Sequence, residues 1–221
     1  MKFLPPILLF LVLIVACKKE TTVDEVTNSD QFVVNNISNN IESYYSDFTN
    51  SISLLKQSID TESVLLSSGE IATLQAKYRT SLFAWGEIEP FLISDVRDSF
   101  IDLKINAWPY DTTFENSLSD NVNELSVSYI DQLYNHQIGL PAVEYLLFHK
   151  TDSLQVNTTY VGYLKALIDH LSLKSKEINQ EWNSYAGDFE NLALKHKRNP
   201  TTVLINAYVL QIEKMKNIKL G

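Results

Sequence analysis

After residue 30, apolar residues recur every three or four positions along most of the chain, the spacing that places them on one face of an α-helix. The first such stripe predicts a helix of about 30 residues, with Asp30 as its amino-terminal cap. Its members are Val34, Ile37, Ile41, Tyr45, Phe48, Ile52, Leu55 and Ile59.

Three further stripes follow the same spacing. The second begins after Ser67 and Glu70, which form an S-x-x-E capping box, and Pro90 is expected to kink or end its helix. The fourth begins at Asn199-Pro200, an N-cap followed by a proline suited to the first helical position. The second stripe is Ile71, Leu74, Tyr78, Leu82 and Trp85; the third is Tyr160, Leu164, Leu167, Leu171, Ile178, Trp182 and Tyr185; the fourth is Leu204, Tyr208, Ile212 and Met215.

Between residues 93 and 148 the pattern is less regular, and Trp108-Pro109 and the stretch 116–123 are typical of loops and short helices. No alternating apolar and polar run is long enough for a paired sheet. The sequence therefore predicts an all-α fold, a helical bundle of about four long helices with an irregular middle segment of short helices and loops.

Composition excludes several classes of protein. The chain has 221 residues with 27 Asp+Glu against 18 Lys+Arg, and its net charge of -9 repels a phosphate backbone, so we expect no nucleic-acid partner. One cysteine excludes an internal disulfide and a cysteine-rich zinc site. With 45% hydrophobic residues, the chain is expected to fold rather than remain disordered.

The amino terminus has the pattern of a targeting segment. Residues 3–16 carry no charge, and this run is shorter than the roughly 20 residues of a membrane-spanning helix. Its end, Ile14-Val15-Ala16-Cys17, resembles the lipobox of bacterial lipoproteins, which implies cleavage before Cys17 and acylation of that residue. The alternative is an ordinary signal peptide with an incidental cysteine.

The lipobox resemblance sets the expected organisation. Residues 1–16 are a lipoprotein signal peptide, 17–30 are the lipidated cysteine and a polar tether, and 31–221 are the helical domain. We accordingly expect a protein of the bacterial cell envelope, anchored in a membrane through Cys17, in the first place the outer membrane. The domain would face either the periplasm or the cell surface.

Common catalytic motifs are missing from the sequence. There is no H-E-x-x-H, no glycine-rich phosphate loop and no G-x-S-x-G. None of the four histidines has Glu three positions earlier, so the signature of di-iron bundles is missing too. We expect these histidines at the surface or at helix ends: His136, His149, His170 and His196.

The segment 137–149 reads QIGLPAVEYLLFH, which resembles the motif region of the imelysin-like family, G-x-H-x-x-E followed by Tyr/Phe-Leu-Leu. Two other segments agree in order and rough spacing. Trp85 with Glu89 is one, and residues 107–111, similar to the family's W-P-x-D stretch, are the other. The resemblance implies that residues 31–221 form an imelysin-like helical domain.

The resemblance also implies site residues. Glu144 is the surviving motif carboxylate, with Glu89 and Asp111 as companions for a metal or ligand. The alternative for Glu144 is structural, a carboxylate near the amino-terminal end of a helix, where the dipole favours it. Gly139 is expected to permit the turn into the motif helix. Trp85 and Trp108 are expected to be core aromatics.

Two departures from the family pattern matter. Pro141 occupies the position of the motif histidine, and proline has no lone pair or proton to offer a metal or a substrate. The second departure is length, because the chain stops about where the first half of the family's two related halves passes into the second. A truncated or divergent member of the family is therefore expected.

The family is classed with the metallopeptidases, and other relatives are linked to iron uptake. A catalytic zinc takes about three protein ligands, and Pro141 removes one candidate. We therefore expect a non-catalytic envelope lipoprotein that binds a metal such as iron or zinc, an iron-containing ligand, or a partner in iron uptake. The first alternative is a structural or interaction module that assembles with a second copy or a separate second half. The second alternative is a metal-dependent peptidase.

Overall fold

A computed structural model describes residues 28–61, 64–114, 125–191 and 200–216. Within these ranges the chain is helical and has no strand, so the all-α prediction is confirmed. The helices, in chain order, are α1 (Asn28–Asp60), α2 (Ser68–Ile88), α3 (Ser94–Asp98), α4 (Ile101–Ile105), α5 (Val127–Asp131), α6 (Gly139–His149), α7 (Thr151–Val156), α8 (Thr158–Glu190) and α9 (Pro200–Lys214). Two 3-10 turns, Glu89–Phe91 and Asn135–Gln137, precede α3 and α6.

The three long helices α1, α2 and α8 form the body of the bundle, with α1 between the other two. Tyr45 stacks on Trp182 with ring centroids 5.5 Å apart, and Phe48 meets Trp85 at 5.3 Å. These aromatic pairs join α1 to α8 and to α2 through side chains that are almost completely buried. The stripes predicted for α1, α2 and α8 therefore form the core, with Ile37, Leu82 and Tyr160 only partly buried.

The predicted helix boundaries are correct at α2 and wrong at α1. The Ser67 hydroxyl accepts from the Glu70 amide at 3.3 Å, and the Glu70 carboxylate accepts from the Ser67 amide at 2.5 Å, which confirms the capping box. Pro90 ends α2 as expected, in a 3-10 turn. Asp30 does not cap α1, because Asn28 and Ser29 before it are already helical.

The fourth stripe is correct for Leu204 and wrong for its other members. Leu204, Ala207 and Gln211 face the protein, whereas Tyr208, Ile212 and Met215 are exposed. Helix α9 is apolar around most of its circumference, so periodicity does not select a face. Its contacts with the 3-10 turn 89–91 select the face instead, and α9 meets the rest of the described chain mainly through that turn. Asn199, the predicted cap, lies outside the described residues.

Helices in the described part of the chain are all too short or too polar to cross a lipid bilayer. The predicted signal peptide, Cys17 and most of the tether lie outside the described residues, and so does His196.

One histidine departs from the surface positions predicted for all four. His170 on α8 is 0% exposed, and its Nε2 lies 3.1 Å from Asp131 Oδ1 on α5. Lys174 Nζ lies 3.2 Å from the same oxygen, and Lys104 Nζ donates to the Asp131 carbonyl at 2.8 Å. Burial lowers the pKa of His170, and the hydrogen bond to Asp131 opposes that shift only in part.

The buried His170 should make stability depend on pH. Because its pKa is lower in the folded state, the unfolded chain binds the proton more tightly. The free energy of unfolding should therefore fall as the pH drops below about 6.5, until the pH lies below the folded-state pKa. Urea denaturation between about pH 7.5 and pH 5 should show a shallower decline for His170→Gln than for the native chain. His149→Gln, at the exposed end of α6, is the control and should keep the native slope. An unchanged slope in His170→Gln would contradict the assignment.

Candidate functional site

A cleft of about 590 Å³ opens between α2, α6 and the segment after α4. A side cavity of about 290 Å³ shares Trp108, Pro109 and Glu144 with it and is also lined by His149. The cleft is lined by Leu82, Trp85, Gly86, Glu89, Asn106, Trp108, Pro109 and Glu144. The structure therefore brings Glu89 and Glu144 into one cleft, together with both tryptophans singled out in the sequence.

Gly139 sets the position of α6 beside the cleft. Its φ is +80°, a conformation that side chains other than glycine rarely adopt, so the expected turn into the motif helix is confirmed. A Cβ at this position would lie 2.4 Å from the Ile105 carbonyl oxygen and 2.9 Å from its carbon. Glycine thus lets the start of α6 approach the end of α4. Pro141 is buried in the first turn of α6, where backbone amides have no partner within the helix.

Glu144 is held by a tyrosine and not by the helix dipole. It is the sixth residue of α6, beyond the first turn in which the dipole acts, so the helix dipole does not account for this carboxylate. The Tyr78 hydroxyl donates to Glu144 Oε2 at 2.9 Å. Burial and the neighbouring Glu144 raise the pKa of Tyr78 far above its ordinary value, so its hydroxyl remains a donor at neutral pH.

Glu89 lies at the start of the 3-10 turn after α2 and is only 7% exposed. Asn106 Nδ2 donates to Glu89 Oε1 at 3.4 Å, and Trp108 Nε1 donates to Asn106 Oδ1 at 3.0 Å. This series holds the Trp108 indole at the rim of the cleft, where it is 45% exposed. The expectation of a core aromatic is thus correct for Trp85 and wrong for Trp108, whose hydrogen bond to Asn106 keeps its ring at the rim.

Asp111 lines neither cavity. Its carboxylate accepts from the Thr113 amide at 3.0 Å, from the Thr113 hydroxyl at 2.6 Å and from Gln137 Nε2 at 3.3 Å. The hydrogen bonds from Thr113 and Gln137 lower the pKa of Asp111. Its main-chain amide donates to the His136 carbonyl at 2.8 Å. Asp111 thus connects the loop after Trp108 to the turn before α6.

A catalytic zinc site does not fit the residues around the cleft. Such a site takes about three protein ligands, whereas the cleft offers two carboxylates. Pro141, at the motif histidine position, lines the side cavity and cannot bind a metal. Nowhere in the described ranges do three or more His, Cys, Asp or Glu side chains form a group suited to a metal.

Sequence reasoning missed two residues that orient the carboxylates. Tyr78 belongs to the core stripe of α2, and a tyrosine on such a stripe signals a buried hydroxyl that needs a polar partner. Asn106 stands just before the Trp108-Pro109 segment, and nothing in its spacing pointed to Glu89. Together they supply one hydrogen bond to each carboxylate.

Comparison with known proteins gives one family and one fold. The family model described as imelysin matches residues 41–221. The crystal structure of an imelysin-like protein from Psychrobacter arcticum 273-4, at 2.15 Å resolution, has a TM-score of 0.73 and 16% sequence identity. The match covers 85% of this chain and 61% of that one, so the chain spans about three fifths of that protein's length. No curated protein matches the chain.

Replacing Gly139 tests the close approach of α6 to α4. Gly139→Ala should lower the free energy of unfolding by at least about 2 kcal/mol, because the added Cβ meets a backbone carbonyl and the φ is unfavourable for alanine. Gly187→Ala is the matched control, since its Cβ on α8 meets nothing within 4 Å. The control should be neutral or stabilised by up to about 1 kcal/mol. Equal effects of the two substitutions in urea denaturation would contradict the role of Gly139.

Proposed function

The chain belongs to the imelysin family, and we propose that it is a non-catalytic, lipid-anchored envelope protein that binds a cation, ferrous iron in the first instance, in the cleft between α2 and α6. The observation that carries the proposal is the convergence of Glu89 and Glu144 on one cleft. No Lys or Arg is among the residues that line it. The local potential therefore favours a positive ligand.

Carboxylate oxygens are hard ligands that suit divalent cations, which can keep several of their waters when few protein ligands are offered. Two carboxylates would hold such an ion reversibly, as a protein that passes iron onward requires. Tyr78 and Asn106 each donate to one of these carboxylates and limit its rotation. These residues would orient the carboxylates in advance of binding.

The peptidase alternative has less support. Catalytic zinc needs about three protein ligands and an open position for water, and the cleft offers two carboxylates. The motif histidine position is occupied by Pro141, whose side chain has no atom to bind zinc. We therefore assign the cleft to binding. Proteins of an iron-uptake system are the proposed partners, and the bacterial envelope is the proposed location, on the strength of the lipobox at Cys17.

Lipid anchoring is tested by metabolic labelling. In a bacterial host, the native chain should incorporate tritiated palmitate and sediment with membranes, because two or three acyl chains anchor a protein stably. Cys17→Ala should incorporate no palmitate, and it should no longer be found among the acylated proteins that sediment with membranes. An ordinary signal peptide would give a native chain without label, and that result would overturn this part of the proposal.

Cation binding is tested by calorimetry with ferrous iron under anaerobic conditions, on the full-length chain in a non-ionic detergent. Glu144→Gln and Glu89→Gln should each weaken binding by about tenfold or more, because each removes one of two charges near the ion. Each glutamine keeps an oxygen that can accept from Tyr78 or Asn106, which limits effects on folding.

Asp111→Asn is the matched control, since this acidic residue lies outside the cleft, and it should bind iron like the native chain. Equal losses in all three variants would assign the effect to net charge alone. No iron binding in the native chain, or native affinity in Glu144→Gln, would overturn the proposal.

A further inference from the structure

We propose that the cleft also takes an organic ammonium ion, with the cationic nitrogen near Glu89 and Glu144 and its carbon groups against the Trp108 indole. This inference rests on the proposed binding of a cation and adds a second class of ligand for the same two carboxylates. It is carried by the size of the cleft, the fixed indole at its rim and the charges around it.

The cleft is larger than a hydrated metal ion requires. Six waters at about 30 Å³ each occupy roughly 180 Å³, less than a third of the cleft. A volume of about 590 Å³ lies within the range of sites for small organic molecules. Leu82 and Pro109 add apolar walls beside the two tryptophans. A ligand with carbon groups would remove these apolar walls from water, whereas a hydrated metal ion would leave them in contact with water.

The Trp108 ring is suited to a cation. Tryptophan is the best aromatic partner for a cation, and this indole is 45% exposed at the rim of the cleft. Its N–H is already bound to Asn106, so the ring stays in place without a ligand. A fixed aromatic face beside two carboxylates is the arrangement that recognises alkylated ammonium groups, because carboxylates attract the charge and the ring contacts the carbons that carry it.

The aromatic ring of Tyr145 in the side cavity already has a cation beside it. Lys150 Nζ lies 5.5 Å from the centre of this ring. The cleft, by contrast, has no Lys or Arg among its lining residues. A second cation would be repelled from the Tyr145 ring and attracted to Glu89 and Glu144.

The test uses two pairs of probes that differ in charge but little in shape, titrated by calorimetry into the full-length chain in a non-ionic detergent. Choline is compared with 3,3-dimethyl-1-butanol, its neutral carbon analogue. N-acetyl-lysine amide is compared with N-acetyl-norleucine amide. The first pair represents a free ammonium ion and the second a peptide side chain, so the pair that responds identifies the source.

The charged member of at least one pair should bind about tenfold or more tightly than its neutral partner. Trp108→Leu should weaken that binding by roughly 3- to 30-fold. The affinity of Trp108→Phe should lie between those of the native chain and Trp108→Leu. Ferrous iron binding should stay at its native level in both variants. Glu144→Gln should weaken both kinds of ligand.

Equal binding of charged and neutral partners, no binding of either cation, or an equal loss of iron and ammonium binding in Trp108→Leu would overturn the inference. If iron binding still depends on Glu144 in those cases, the proposed function stands without it. Conversely, choline binding that depends on Glu144, with no iron binding at all, would overturn the metal proposal and support the ammonium ligand.

Discussion

The stacking of Tyr45 on Trp182, with Phe48 against Trp85, is the contact on which the rest of the structure depends. It joins α1 to α8 and α2, and α8 in turn supports the short helices α4, α5 and α6. Trp85 belongs both to this aromatic core and to the wall of the cleft. Since interiors are close-packed, the cleft cannot shift relative to the core without disturbing these rings.

Helices that bury one clear stripe could be predicted from local spacing alone. The stripes of α1 and α8 are buried because each has one apolar face, and the capping box at Ser67 marks its helix start within four residues of sequence. Helix α9 has no clear difference between an apolar and a polar face. Its buried face is therefore selected by contacts with the turn 89–91, more than a hundred residues earlier in the chain. His170 was missed for a similar reason, since its partner Asp131 lies on another helix.

In the candidate site, too, the sequence pointed to individual residues but not to which of them lie close together in space. Motif resemblance singled out Glu89 and Glu144, but their meeting in one cleft depends on the approach of Gly139 to Ile105, two residues far apart in sequence. Asp111 stands near Trp108 in the chain, yet its hydrogen bonds turn it toward Gln137 and away from the cleft. Spacing along the chain carries no information about such closures.

The attachment of α9 has a mechanical consequence. This helix meets the rest of the described chain mainly through the turn 89–91, where Phe91 packs edge-on against Tyr208 at 5.8 Å. Glu89 begins that same turn. The Phe91 carbonyl of this turn also accepts from the hydroxyl of the core residue Tyr45 at 3.0 Å. A force that pulls on α9 therefore reaches a single turn that contains a carboxylate of the cleft and is hydrogen-bonded to the aromatic core.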